Sequence, residues 1–316
     1  MEATFPMLKT IAVFAALAIP GFIMVKAKLV KSEHTIILSK ILLYLGLPFL
    51  VLSNIEKMAL NTDTLWLIVF SAVITTVYTV AGFLLAKYTV LKVSDENKKK
   101  MARFCMVSGN TGFLAIPLAQ AVFADSPLVL TSVVVVNVFA VTVIYIMGDA
   151  LLGGEEKKVS IKGIITNPVI IAFVLGVIAN VTKVTSYVSE ISTFANYMSN
   201  IATPLSMLVL GIKLGEINLK KTFSNSLLYK VSFYKLIVFP IAITAILLLL
   251  RLVLPISNEL IIGIFIGHAM PVAASVTTYA DNYNCDVEGS VTYTLGTTVL
   301  SIVTITLLYF LLVLVI

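Results

Sequence analysis

The sequence predicts an all-α polytopic membrane protein: ten transmembrane helices in two inverted five-helix repeats, with helices 4 and 9 broken and crossed. Three observations predict it. Of the 316 residues, 59% are hydrophobic and only 12% charged, whereas soluble chains carry about a quarter charged residues, so no single soluble core can hide this apolar surface. Ten apolar runs approach the roughly 20 residues needed to cross about 30 Å of hydrocarbon. The pattern Ala-x-Pro-x-Ala-x-x-Val occurs twice, as Ala115, Pro117, Ala119 and Val122 and, 154 positions later, as Ala269, Pro271, Ala273 and Val276.

The segments follow in order. Met7 to Val25 and Thr35 to Ile55 are separated by Lys26, Lys28 and Lys31, with Lys40 close behind. Thr64 to Val90 is third, and Lys87, Lys92, Lys98, Lys99, Lys100 and Arg103 gather between it and the fourth, Met101 to Phe123. The fifth, Leu128 to Gly148, leads to a polar loop with Lys157, Lys158 and Lys162. Ile164 to Thr182 and Phe194 to Leu214 come next, and Lys213, Lys220, Lys221, Lys230 and Lys235 surround the start of the eighth, Leu227 to Val253. Leu260 to Tyr283 and Gly289 to Ile316 complete the set. Alternate loops thus hold all the lysines and arginines except Lys9, Lys57, Lys183 and Arg251. The positive-inside rule then places both termini outside the cytoplasm, in a multi-pass protein of the cell membrane. The surplus of positive charge is topological, and nucleic acid is not its explanation.

The organisation reads as a first repeat over residues 1–152, a short cytoplasmic loop over 153–163 and a second repeat over 164–316. Five spans per half is an odd number, so a duplicated unit inserts upside down relative to its copy. Pro48 in the second segment has a counterpart at Pro204 in the seventh, which extends the correspondence. The first segment is not expected to be a secretory signal, because its positive cluster follows the apolar run where a signal has it in front. Cys105 and Cys285 are too few and too far apart for a disulfide framework or a zinc motif.

Proline removes a backbone donor and clashes with the carbonyl four residues back, so each of the paired prolines is expected to break its helix just before it and to begin a new half-helix. Two half-helix starts then meet near the membrane middle, each with unpaired amides and about half a positive charge. Such ends favour an anion. Neither broken stretch contains Asp or Glu, as a cation site in an exchanger would require; Asp125, Asp149 and Asp281 lie toward segment ends and read as interfacial. The candidate substrate-binding residues are Asn110, Thr111, Gly112, Pro117, Gln120, Asn137, His268, Pro271 and Ser275. Asn110, Thr111, Gln120 and Asn137 are polar groups in hydrocarbon that must find partners, in a ligand or in a neighbouring helix. His268 is the evident candidate for proton coupling, with a hydrogen bond to a neighbouring helix as its structural alternative. Ser275 and Thr277 extend the polar lining or back-bond within their own helix. Lys235 reads as a snorkelling side chain. No catalytic residue, metal ligand or cofactor motif is present: the chain lacks an Asp-rich metal motif, paired catalytic aspartates and His-Glu-x-x-His, so an intramembrane enzyme is not expected.

These motifs resemble the auxin efflux carrier family over essentially the whole chain. The resemblance rests on Gly109 to Leu118, on Asn167-Pro-Val-Ile-Ile-Ala-Phe-Val-Leu-Gly, on Thr203 to Leu214, on Lys235-Leu-Ile-Val-Phe-Pro, on Ala269-Met-Pro-Val-Ala and on Thr297-Thr-Val-Leu-Ser. It implies a fold similar to bile acid symporters and sodium-proton antiporters. Segments one, two, six and seven would form a scaffold, dimeric through two and seven, and the other six a transport unit. It also implies a secondary transporter of small organic anions, carboxylates such as malate, malonate or auxin-like acids, with alternating access. The short central loop is similar to the bacterial branch. The family often has an amide after the ninth-helix proline; Ala273, Ala274 and Ser275 stand there in this chain. An anion sensor or channel, and a sodium-coupled symporter, are the alternatives on the same fold. The expected partners are the anion, membrane lipid and a second copy of the chain.

Overall fold

A computed structural model describes residues 4–58, 61–153, 163 and 165–316. Most of the expected central loop, with Lys157, Lys158 and Lys162, lies outside the described residues, as do the side chains of Lys9 and Lys57. The described residues are almost entirely helical, with one isolated β-bridge.

The main helices are α1 (Thr4–Lys26), α2 (Thr35–Glu56), α3 (Thr62–Thr89), α4 (Glu96–Val107), α5 (Thr111–Val122), α6 (Pro127–Gly153), α7 (Pro168–Thr182), α8 (Ser189–Glu216), α9 (Ser226–Leu250), α10 (Asn258–Ala269), α11 (Val276–Asn282) and α12 (Val287–Val315), with short helical turns at Val184–Tyr187 and Leu219–Phe223. The fourth and ninth expected segments are the broken pairs α4/α5 and α10/α11. Short polar side chains start several helices by accepting an amide hydrogen: Asn61 from Thr64, Asp95 from Lys98, Asn167 from Val169 and Ser257 from Leu260. Six of the elements, α2, α3, α6, α8, α9 and α12, are long and apolar enough to cross a membrane.

Helix α3 shows the inverted polarity of a lipid-facing element. Its buried stripe carries Ser71, Thr75 and Thr79, while Val69, Val73 and Val77 are more than half exposed. In water this distribution would be unfavourable; in hydrocarbon the hydroxyls hide against neighbours and the valines face acyl chains. The chain is a multi-pass, all-α membrane protein.

Helices pack in two groups. In one, α1 lies along the second half of α8, and α2 packs between α7 and the first half of α8. Gly211 makes this possible, because a Cβ there would overlap the Ala18 carbonyl of α1. In the other group α6 lies between α3 and α10, and α12 gathers α4, α9 and α11. The grouping follows the division that the family resemblance implies.

Three prolines are absorbed without a break. Wide turns at Leu42–Gly46, Thr111–Ala115 and Tyr234–Val238 each end two residues before Pro48, Pro117 and Pro240. In each, the residue just ahead of the proline bonds five residues back, Leu47 to Leu42, Ile116 to Thr111 and Phe239 to Tyr234. The extra residue in the turn carries the clashing carbonyl away from the ring. Pro204 needs no such turn, because it stands in the first turn of Ala202–Glu216 after an interruption of α8 at Asn200 and Ile201.

The fourth segment therefore breaks elsewhere than expected. Its backbone leaves the helix at Ser108, Gly109 and Asn110, well before Pro117, whereas the ninth breaks at Met270 and Pro271 as anticipated. The two extended stretches pair antiparallel. Gly109 is bridged to Val272, the Asn110 amide donates to the Pro271 carbonyl at 2.8 Å, and the Ala273 amide donates to the Ser108 carbonyl at 3.1 Å. The Val272 amide donates to Thr297 Oγ1 of α12 at 3.0 Å. The crossing thus satisfies in low-dielectric surroundings several of the groups that the breaks release.

Candidate functional site

A cavity of about 140 Å³ opens beside this crossing. Gly109, Asn110, Thr111, Gly112 and Phe113 form one wall, at the start of α5. Ala273, Ala274, Ser275 and Tyr279 form a second; α6 contributes Asn137, Val138, Val141, Ile144 and Tyr145, and α2 and α7 close it with Leu43, Leu47, Asn167, Val169 and Ile170. None of the lining residues is charged.

The amide accounting explains what faces the cavity. The Asn110 carbonyl accepts from Leu114 and Ala115, so the amides of Thr111, Gly112 and Phe113 lie in the unpaired first turn of α5. Asn137 is 3% exposed and donates through Nδ2 to Thr111 Oγ1 at 2.6 Å. That bond ties α6 to the broken helix and leaves the Asn137 carbonyl oxygen free of it. Asn167 uses its Oδ1 to accept the Val169 amide at 2.9 Å, leaving its amino group to face Tyr145. The Tyr279 hydroxyl is buried and has no hydrogen-bond partner among the described residues. Its ring is held by Phe104, Tyr145 and Tyr283, with centroids 4.9, 5.9 and 6.3 Å away.

Five sequence-predicted residues meet here: Asn110, Thr111, Gly112, Asn137 and Ser275. Four do not line the cavity. Pro117 is buried in the body of α5 because the wide turn moved the break upstream of it. Pro271 is buried at the crossing, where its carbonyl accepts from Asn110. Gln120 stands in a separate cavity of about 290 Å³ at the far end of α5, with Ser53, Asn54, Asn196, Ser199 and Asn200. His268 projects to the other side of α10, edge-on to Tyr78 at 5.0 Å, with Nε2 buried and unpartnered among the described residues. The Tyr78 hydroxyl itself donates to the Phe239 carbonyl.

A further expectation is corrected. Lys235 does not snorkel; it is 3% exposed, lies within the wide turn that precedes Pro240 and donates from Nζ to the Val107 carbonyl at 3.4 Å. Asp149, near the end of α6, is buried against protein neighbours and accepts from the Tyr283 hydroxyl at 2.7 Å. Tyr145, Asn167 and Tyr279 are the lining residues that sequence reasoning passed over as a site. Tyr279 lies four residues after Ser275, on the same helical face, which is the signal that could have found it. Asn167 before Pro168 reads as a helix cap, and the cap uses only half of its side chain.

No curated protein matches the chain. A family model described as membrane transport protein matches residues 6–309, nearly the whole length. With its crossed broken segments and the motifs that form them, the chain belongs to this membrane transport protein family, the auxin efflux carrier family.

Proposed function

We propose that this protein is a secondary carrier of small organic anions, moving carboxylates by alternating access with the cavity at the crossing as its binding site. One observation carries this reading. The cavity joins the unpaired amides at the start of α5 to the Asn110, Thr111 and Asn137 side chains, with no charged side chain among its lining residues. An anion meets hydrogen-bond donors and a helix dipole there, and no carboxylate repels it. The remaining wall, from Leu43 and Leu47 to Val138, Ile144 and Ile170, suits the apolar body of a carboxylate. The Gln120 cavity lies toward the opposite end of the same seam between the two helix groups. A site reached alternately from two ends needs two such recesses.

On this reading residues 1–152 and 164–316 are inverted repeats, both termini are extracytoplasmic, and the cell membrane is the location. A homodimer would form through α2 and α8, whose Ile36, Ile37, Tyr44, Phe194 and Tyr197 are exposed. The test is counterflow in liposomes with labelled malonate, malate and an aromatic monocarboxylate, together with binding of each acid and its neutral amide. Accumulation of label against an unlabelled internal pool, and preference for the acid, are expected. Equal binding of acid and amide overturns the anion site, and flux without counterflow overturns the carrier.

A further inference from the structure

The crossing has a second side, facing away from the cavity, and there the carbonyl ends of the inward half-helices converge. Helix α4 ends at Val107 and α10 at Ala269. The last carbonyls of a helix carry about half a negative charge and have no partner within it. Two such ends meeting in hydrocarbon are unfavourable unless something positive joins them.

Lys235 of α9 fills this place. Its Nζ donates to the Val107 carbonyl, and a Cβ added at Gly109 would lie 2.9 Å from Nζ and 3.8 Å from the Gly267 carbonyl oxygen. The ammonium therefore bonds the carbonyl end of α4, and the Gly267 carbonyl of α10 borders the same small space, which exists because residue 109 has no side chain. Among the described residues no carboxylate makes an ion pair with Lys235. Its neighbours are Tyr78, Thr79, Gly82, Met106, Phe239 and His268, and the residual space among them is about 10 Å³.

We infer that Lys235 is a tethered cation, its ammonium occupying the position that a free alkali cation would take between the carbonyl ends of α4 and α10. Three consequences follow. The crossing is neutralised covalently, so the protein's integrity does not depend on sodium or potassium. The two broken segments are locked to α9 by one charged group. Removing the side chain leaves a carbonyl-lined vacancy that accepts a small monovalent cation. This inference does not rest on the substrate, because its readout is the stability of the protein itself.

The experiment is a thermal melt of purified protein in sodium chloride, methylammonium chloride or N-methyl-D-glucamine chloride at one ionic strength. The unsubstituted protein is expected to melt at one temperature in all three. Lys235→Ala should melt lower in N-methyl-D-glucamine and rise by roughly 2 to 4 °C in sodium or methylammonium. Lys235→Met, which fills the space without charge, should melt lower than the unsubstituted protein and respond to no cation. Sodium stabilising the unsubstituted protein would overturn the inference even if no variant folds. So would Lys235→Met melting as high as the unsubstituted protein, or Lys235→Ala ignoring every cation.

Discussion

The two broken segments are broken by different means. In α10/α11 the proline stands at the break: Met270 before it is extended, as the residue preceding proline prefers, and Pro271 takes part in the crossing through its carbonyl. In α4/α5 the break contains Ser108, Gly109 and Asn110 and no proline, while Pro117 is carried inside α5 by a wide turn. The difference teaches that proline alone does not decide where a membrane helix opens. A helix opens where its freed amides and carbonyls find other partners, and here those partners are the opposite break, Thr297 and Lys235.

The comparison can be broken most forcefully at Gly109. Gly109→Val would drive a branched side chain into the Lys235 ammonium, with the Gly267 carbonyl close behind. Overpacking of this kind costs about 1 to 3 kcal/mol, and displacing a buried charge adds to it. The expected outcome is loss of monodisperse protein in size-exclusion chromatography; a normal yield and melt would mean that Lys235 moves aside freely.

Asn137→Ala tests the cavity side of the same break. It should weaken carboxylate binding tenfold to a hundredfold, about 1.5 to 3 kcal/mol for a hydrogen bond to a charged group. Titration of a carboxylate series, paired with a melt, separates this from the alternative in which Asn137 merely ties α6 to Thr111 and only stability falls.

Thr297→Val removes the acceptor of the Val272 amide at nearly constant volume. A buried amide left without a partner costs about 1 to 3 kcal/mol. The melt should fall while carboxylate affinity is retained, because Thr297 lies outside the cavity lining. Unchanged stability would show that the ninth-segment break does not lean on α12.

The smallest effect is expected from the prolines themselves. Pro117→Ala loosens the unfolded chain by about 0.4 to 1 kcal/mol, but it restores an amide that can bond within α5, so the melt should barely move. Pro271→Ala has no such compensation and also frees Met270 to turn helical, so it should melt lower than Pro117→Ala. Equal melts would erase the distinction between the two breaks.

Much of this protein was legible in its sequence because its causes are local. Apolar runs of membrane length and a composition too poor in charge require helices in lipid, and no packing detail can reverse that. Pro271, with small residues after it, opens the ninth segment by its own covalent structure. Asn110, Thr111 and Asn137 could be singled out because an amide or hydroxyl within an apolar segment must find a partner. Only the tertiary structure decided which partner each group found. A wide turn adds one residue and rotates everything beyond it by about 100°, so that Pro117 is buried and Gln120 reaches another cavity, while the packing of α9 holds Lys235 inside the bundle. His268 faces Tyr78 and not the cavity because α10 is clamped between α6 and α9. These outcomes depend on carbonyls and amides brought together from the fourth, eighth, ninth and tenth segments, and no stretch of chain carries that information alone.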